Sequence, residues 1–459
     1  MALPNLFRSS NKRKARPAPP EPAQKMRLAL PDMFQQAANP SQASDLPRFS
    51  ASAADQPHRR DDRFGAARMK LRNAYTPSQP VFDRRMFAGR LNVLKAAIRS
   101  IEDQRLHLVI YGERGIGKTS LLHMLTAAAR EARYIVVYSS CGAASNFDET
   151  FRAVAADIPL LFHSDYSPTT EEAETGTSLA SLLPTRKVLP RQFGDLCTKL
   201  TGTRVLIVLD EFDRAESLEF RRDLAELIKI LSDRSVRVQL VIAGVAADLA
   251  ELVEHIPSVR RNILAIPVPL MSAEEIGELV TNGERTAGIT ITPTARDHVV
   301  AISVGSPYIA SLLCHHAALD AIDDQRLDVM PADVASALEQ ALGELATRIS
   351  KTTMGQVKRL VNESGTELLS LIASASLAGS GEFDSALLDA KAGTPTRAAR
   401  CKSIVAELAA QQILIHERDD GFGKRYAFIE DAVPTYLWFL AARQTFREDD
   451  VAPQRVRVR

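Results

Sequence analysis

The sequence predicts an α/β fold, in which a parallel sheet sandwiched between helices is followed by a helical region and a small domain of helices and a hairpin. Three observations predict it. Short apolar runs alternate with helical patterns over residues 91–243, the pattern from Ser272 onward is helical only, and residues 413–429 hold two short runs around a glycine-rich turn. A chain of 459 residues is long enough for two or three such domains.

The first 75 residues differ in composition from the rest. They carry 14 Lys or Arg against 6 acids, are rich in Pro, Ala, Ser and Gln, and show no sustained hydrophobic period. We interpret residues 1–75 as a disordered basic tail, solvated rather than bound, although the cluster at 12–16 has the charge to contact nucleic acid or acidic lipid. The sequence lacks the apolar core of a secretory signal and any run of 18 apolar residues, so we expect a cytoplasmic protein with no membrane span.

A glycine-rich segment joins the first apolar run, 106–111, to a helical pattern that begins at Ser120. Its glycines let backbone N–H groups turn around phosphates, its lysine reaches the terminal phosphates, and its threonine hydroxyl is placed to bind Mg²⁺. The N-terminus of the following helix attracts the same anion. The segment is a P-loop, and its predicted nucleotide-binding residues are Gly112, Glu113, Arg114, Gly115, Ile116, Gly117, Lys118, Thr119 and Ser120.

A second motif lies about ninety residues later. The apolar run that ends at Leu209 is typical of a strand buried in a parallel sheet, and it is followed by Asp210 and Glu211. We expect Asp210 to hold Mg²⁺ together with Thr119, and Glu211 to orient and polarise the attacking water. The role of Asp213 is ambiguous, and a solvated or capping role is favoured over a functional one.

The four cysteines are scattered and show no metal-ligand spacing. This pattern favours a reduced compartment and argues against structural zinc. Cys314, His315 and His316 are consecutive, and neighbouring residues of a helix point in different directions, so we expect no metal there.

The region after Ser272 is predicted to be helical. Ser272 and Glu275 form a capping box, and further helices are expected near 293–303, 307–321 and 331–347. Three short helices near 365–375, 384–391 and 396–411, followed by a hairpin, outline a winged helix. The predicted domains are the tail 1–75, the nucleotide-binding core 76–270, a helical lid 271–350, the winged helix 351–445 and a C-terminal tail 446–459.

The chain resembles the AAA+/STAND group of P-loop ATPases that have an origin-recognition-like ATPase domain, over residues 80–445. The elements that carry the resemblance are Phe87-Ala88-Gly89-Arg90, Gly112–Thr119, Asp210-Glu211 and Gly305-Ser306-Pro307. The resemblance implies that Val81 and Arg90 contact the base or ribose and that the turn at Pro307 contacts the nucleotide. Without it, Phe87 is a core aromatic residue and Arg90 a surface charge.

The resemblance also implies an arginine finger, supplied by Arg260 or Arg261 to a neighbouring subunit. The alternative is that both are helix-end cations. Two positions depart from the AAA+ pattern. Ala243-Gly244-Val245 stands where a polar residue is usual, which predicts slow hydrolysis, and Tyr308 replaces the arginine of many lids, as in STAND proteins.

These features predict an ATP- and Mg²⁺-dependent slow ATPase that acts as a nucleotide-controlled switch for assembly with partner proteins or its own copies. The alternative is an ATP-dependent DNA-binding or DNA-loading factor, which is possible but not favoured because Glu417, Asp419 and Asp420 dilute the basic residues. A small-molecule kinase is the third alternative, and the two C-terminal regions add nothing to such chemistry. The residues of the DNA alternative are Arg397, Arg400, Lys402, His416, Arg418, Lys424 and Arg425.

Overall fold

A computed structural model describes residues 63–167, 176–234, 236–244, 261–379, 381–419 and 424–451, with the backbone alone at 418–419 and 447–451. All of these residues belong to one compact unit. No described helix is both long enough and apolar enough to cross a membrane.

The first helix, α1 (Arg63–Ala74), corrects the predicted tail boundary at residue 75. Its apolar residues Ala67, Leu71 and Ala74 recur at helical spacing and are buried, although charged residues between them keep the segment polar on average. The following Tyr75 is also buried, and its hydroxyl donates a 2.7 Å hydrogen bond to Val280 O. The part of the predicted tail before residue 63 lies outside the described residues.

The predicted parallel sheet is confirmed. Five parallel strands lie side by side in the order β2-β3-β4-β1-β5. They are β1 (His107–Tyr111), β2 (Ile135–Ser140), β3 (Val205–Asp210), β4 (Val238–Gly244) and β5 (Ile263–Pro267), of which β5 was not predicted.

Helices cover both faces of the sheet, and β3 shows how. Leu206 and Val208 face one hydrophobic cluster, whereas Ile207 and Leu209 face another, as the two-residue period of a strand requires. The covering helices are α2 (Leu91–Glu102) and α3 (Lys118–Glu131) on the first face, and α4 (Phe147–Ala156), α5 (Pro190–Thr198) and α6 (Leu218–Asp233) on the second.

The lid is helical, as predicted. The capping box is present, since Ser272 Oγ accepts from Glu275 N and Glu275 Oε2 accepts from Ser272 N. The lid helices are α7 (Ala273–Ala287), α8 (Pro293–Ser303), α9 (Pro307–Asp323) and α10 (Pro331–Arg348), with a short parallel pair, β6 (Thr290–Ile291) and β7 (Asp328–Val329).

The C-terminal domain contains the three predicted helices and the hairpin, with a third strand that makes a small antiparallel sheet in the order β8-β10-β9. Helix α11, at its start, was not predicted. The elements are α11 (Lys351–Ser364), α12 (Thr366–Ala378), β8 (Glu382–Phe383), α13 (Ser385–Ala392), α14 (Pro395–Ala410), β9 (Ile415–Asp419), β10 (Lys424–Phe428) and α15 (Ala432–Val451).

Helix α15 corrects the predicted start of a C-terminal tail at residue 446. The helix passes through residue 446 because apolar residues still pack there: Phe439 is fully buried in the hydrophobic cluster of the lid, and Phe446 packs against the same cluster. Leu437 is buried in the cluster of the C-terminal domain instead. The helix therefore belongs to two cores.

Candidate functional site

A cavity of about 290 Å³ lies where the P-loop meets the carboxyl end of β3 and the start of α9. Ligands of open parallel sheets commonly bind at this edge of the sheet. We call it the central cavity. Its lining includes these predicted site residues: Val81, Glu113, Arg114, Gly115, Gly117, Lys118, Thr119, Ser120, Asp210, Glu211 and Pro307.

The shape of the P-loop depends on two glycines. Gly115 and Gly117 have φ of 73° and 94°, a region that side chains rarely adopt. A Cβ atom on Gly117 would lie 2.8 Å from Arg90 Nη1, and one on Gly115 would lie 3.2 Å from Tyr308 Cβ. The loop is therefore packed between the guanidinium of Arg90 and the first turn of α9.

Lys118 is held inside the curve of the loop. Its ammonium donates hydrogen bonds of 2.7 Å to Gly112 O and Glu113 O. Burial lowers the pKa of Lys118, and the nearby carboxylates of Asp213 and Asp210 oppose that shift. A phosphate in the cavity would meet a cation that is already positioned.

The structure brings together the two predicted magnesium ligands. Thr119 Oγ1 donates a 2.9 Å hydrogen bond to Asp210 Oδ2, which also accepts a 2.6 Å bond from Tyr138. Mg²⁺ prefers such oxygen ligands and usually takes one or two carboxylates together with substrate phosphates. Thr119 and Asp210 supply one hydroxyl and one carboxylate oxygen, which fits an ion that takes its remaining ligands from a nucleotide and water.

Glu211 follows Asp210 in a left-handed conformation, with φ 54° and ψ 35°. Backbone strain of this kind costs on the order of 1 kcal/mol and is common at functional sites. Its carboxylate accepts a 3.1 Å hydrogen bond from Ser140 and forms a 2.9 Å ion pair with Arg214. Sequence reasoning missed both partners, of which Ser140, a polar residue ending an apolar strand, was the more visible.

Asp213, whose role the sequence left open, lines the central cavity. A Cβ atom on Gly244 would lie 2.9 Å from Asp213 Oδ1. The small residue that ends β4 therefore leaves room for a carboxylate from the turn after β3. The sequence showed that β4 ends without a polar side chain, but it did not show that the Asp213 carboxylate lies in that space.

Arg90 lies behind the P-loop rather than in the cavity, so the contact with base or ribose predicted from the resemblance is not supported. Its guanidinium donates to Ile116 O and, at 3.0 Å, to Pro269 O. Burial lowers the pKa of Arg90 to about 10. Ile116 is buried in the core and Phe87 packs against the same cluster, so this part of the motif supports the loop from beneath.

Two further predicted residues are held by local contacts. Val81 N donates a 3.0 Å hydrogen bond to Ser120 Oγ, which fixes the entering segment over the start of α3. Pro307 is the first residue of α9 and follows Gly305, whose φ is 78°. A Cβ atom on Gly305 would lie 2.5 Å from Met271 O, so glycine is required there.

Two consecutive P-loop residues contact the C-terminal domain. Arg114 Nη1 lies 3.4 Å from Asp431 Oδ2, just before α15. A Cβ atom on Gly381 would lie 3.6 Å from Glu113 Oε1. Burial raises the pKa of Glu113 to about 7, and the charge of Asp431 adds to the shift while Lys118 opposes it.

The proposed arginine finger stays a prediction. Arg260 lies outside the described residues. Arg261 is exposed and precedes β5, at the edge of the sheet opposite the central cavity of its own chain. Its position at that edge excludes a role in the central cavity of its own chain, so a finger role would require a second copy.

Most of the described basic residues of the DNA alternative are paired with acids of their own domain. Arg397 pairs with Glu367 and Lys402 with Asp389, and the strand residues pair likewise, Lys424 with Glu417 and Arg425 with Glu382. Arg400 is exposed, and the side chain of Arg418 lies outside the described residues. The surface is therefore largely neutralised.

A protein-family model described as "AAA domain" matches residues 101–253. These residues hold the P-loop, the acid-tipped strand and four of the five strands of the sheet, so this part of the α/β fold is similar to an AAA domain. No curated protein matches the chain.

Solved structures give weaker likenesses. Cdc6p from Pyrobaculum aerophilum has a TM-score of 0.44 and 14% identity, over 82% of this chain and 98% of its own. The ORC2 protein of Aeropyrum pernix, in ADPNP-ADP complexes, has a TM-score of 0.43 and 16% identity, over 83% and 98%. A Walker-type ATPase of Pyrococcus abyssi has a TM-score of 0.46 and 17% identity, over 78% and 98%.

Proposed function

We propose that this chain, through its AAA domain, binds ATP with Mg²⁺ in the central cavity, hydrolyses it slowly, and lets the bound nucleotide control how a C-terminal winged helix meets partner proteins or other copies. One observation carries the proposal. The P-loop contacts both regions that the nucleotide would control, because Gly115 packs on Tyr308 of the lid and Arg114 pairs with Asp431 of the C-terminal domain.

The cavity supplies the groups that nucleotide binding needs. Backbone N–H groups of the loop and the Lys118 ammonium bind the phosphates, while Thr119 and Asp210 hold the metal. Bound Mg²⁺ would neutralise phosphate charge and stabilise the charge that develops during cleavage. Glu211 orients the attacking water, and the arrangement of these side chains supports ATP hydrolysis as the reaction.

Slow turnover follows from the contacts of Glu211. Ser140 and Arg214 both hold the Oε2 atom of its carboxylate, and these two contacts restrict the side-chain rotation that would bring the carboxylate to the attacking water. In addition, β4 ends in Ala243 and Gly244, which offer no polar side chain to the γ-phosphate. A slow ATPase remains in its ATP state long enough to act as a timer.

The ion pair between Arg114 and Asp431 would transmit the nucleotide state. Both side chains are largely exposed, so the pair itself contributes only about 0–1 kcal/mol. Because Arg114 also lines the cavity, bound phosphates compete with Asp431 for its charge. A difference of about 1.4 kcal/mol between the two arrangements changes their ratio tenfold, so a weak contact is enough to be switched.

Hydrogen exchange tests this coupling. We expect Mg·ATP to change amide exchange around Gly381 and at the start of α15 in the Glu211→Gln protein, in which turnover is blocked. Arg114→Gln should still bind ATP but lose that change, whereas Arg285→Gln, which removes an exposed arginine from α7, should retain it. An unchanged exchange response in Arg114→Gln would refute the coupling.

Assembly requires its own experiment. Sedimentation and affinity capture of the Glu211→Gln protein, with ATP and with ADP, should show complexes in the ATP state only. Arg260→Ala and Arg261→Ala should lower the specific activity if copies complete each other's sites, and the wild-type specific activity should then rise with protein concentration. Identical sedimentation and capture in both nucleotide states would contradict the switch.

A further inference from the structure

Each strand of the five-stranded sheet is preceded, one or two residues earlier, by an arginine. All five arginines are exposed. They are Arg105 before β1, Arg133 before β2, Arg204 before β3, Arg237 before β4 and Arg261 before β5.

The parallel topology collects these residues at one edge, opposite the central cavity. Ile135 N donates to Arg204 O and Val205 N donates to Arg237 O, both at 2.9 Å, so the hydrogen-bond ladder extends to the arginines themselves. Across the sheet they follow the order Arg133, Arg204, Arg237, Arg105, Arg261. Neighbouring strands are about 4.8 Å apart, so this arginine row spans about 19 Å.

The charges of the row are mostly available. Among the described residues, Arg105, Arg133, Arg237 and Arg261 have no ion pair with a carboxylate, and Arg204 donates a 2.8 Å hydrogen bond to the Tyr134 hydroxyl. The acids nearby are Glu102 and Asp103, at the end of α2. The row thus differs from Arg397, Lys402, Lys424 and Arg425 of the C-terminal domain, each of which is paired with an acid of that domain.

A recess in the row indicates the kind of ligand. Arg105, Arg204 and Arg237 surround a space of about 80 Å³, which Glu102, Tyr134 and Gln239 also line. Small-molecule sites usually measure about 300 Å³ or more, so this recess suits a single anionic group rather than a whole metabolite. All five cations are arginines, whose planar fork matches the oxygens of a phosphate better than a lysine does.

We propose that the arginine row binds the phosphate backbone of a nucleic acid, without reading its sequence. A backbone repeats its phosphate at a rise of about 3.4 Å per strand, so about 19 Å of row faces five or six phosphates. This inference is independent of the nucleotide cavity, and it assigns nucleic-acid contact to the ATPase domain instead of the winged helix.

The salt dependence of binding tests the proposal on the full chain. Fluorescence anisotropy of a labelled duplex of about 30 base pairs, between about 50 and 300 mM salt, gives a slope of log K against log salt of about −0.9 per phosphate contact. Arg105→Gln with Arg237→Gln should reduce the magnitude of the slope by about 1.8. Arg285→Gln with Arg400→Gln removes the same charge elsewhere and should leave the slope unchanged.

Two further measurements make the outcome decisive. Mg·ATP affinity should be the same in both double variants, because the arginine row lies at the opposite edge of the sheet from the central cavity. Equal affinities would show that both variants are folded and that the substitutions do not act through the cavity. Duplex RNA should bind through the same row, and a polyglutamate chain should compete poorly. Equal salt slopes in the two double variants would overturn the proposal, as would polyglutamate binding as tight as that of the duplexes.

Discussion

The Thr119 hydroxyl donates a 2.9 Å hydrogen bond to the Asp210 carboxylate, which joins two residues 91 positions apart at the mouth of the central cavity. The bond places a neutral and a charged oxygen where one metal can reach both. Binding of the metal would replace this hydrogen bond by two coordination bonds.

The first prediction concerns that pair. Asp210→Asn removes the charge while keeping a side chain of the same size, so we expect ATP affinity in Mg²⁺ to fall about tenfold or more, whereas affinity in EDTA should stay the same or improve. Lys118→Ala should abolish binding under both conditions. Calorimetric titration measures both, and equal losses with and without Mg²⁺ in Asp210→Asn would exclude the metal role.

The second prediction concerns the ion pair between Glu211 and Arg214. Glu211→Gln should bind ATP normally and lose about 10²-fold or more of its turnover, the usual contribution of a general base. Arg214→Gln frees the carboxylate from one of its two partners and should raise turnover. Steady-state phosphate release measures both, and wild-type turnover in Glu211→Gln would show that another group orients the water.

The third prediction concerns pH. Because the pKa of Glu113 is raised to about 7, its carboxyl is largely neutral below that pH and charged above it. A charged Glu113 repels phosphates, so ATP affinity should fall roughly two- to tenfold as pH rises through 7. Glu113→Gln should remove this dependence and leave only the titration of ATP itself. A pH profile that is the same in both proteins would contradict the assignment.

The fourth prediction concerns the docking of α1. A Cβ atom on Gly283 would lie 2.1 Å from the ring of Tyr75, so Gly283→Ala should displace that ring and destabilise the protein by roughly 1–3 kcal/mol. Tyr75→Phe loses only the hydrogen bond to Val280 O and should cost about 1 kcal/mol. Gly277→Ala, on the same helix and with open space around it, is the matched control. Chemical denaturation measures all three.

The local motifs were predicted well from the sequence. The P-loop and the strand ending at Asp210 each occupy fewer than twelve consecutive residues, and their chemistry is encoded in residue type and spacing. The cavity brings these two motifs together because a parallel sheet places the carboxyl ends of its strands at one edge. The lid helices were also predicted, since long helices carry clear periodicity and caps.

The remaining features depend on contacts between distant residues. Arg114 and Asp431 are 317 positions apart, and no local pattern connects them. Asp213 enters the cavity because β3 and β4 are neighbours in the sheet, which the sequence does not state. The five residues of β5 are too few to show a period, and α1 was hidden by its polar composition.

The length of helix α15 determines how far a small movement at its first turn displaces its other end. Its 20 residues span about 30 Å, its apolar side chains up to Phe446 pack in two hydrophobic cores, and Asp431 lies next to its first turn. A tilt of about 10° around a pivot near Asp431 would move the C-terminal end of the helix by about 5 Å, because the displacement grows with the length of the helix. Truncating the chain before this helix would expose both cores to water. Helix α15 therefore serves both the coupling to the P-loop and the stability of the two cores, and a deletion cannot separate these two roles.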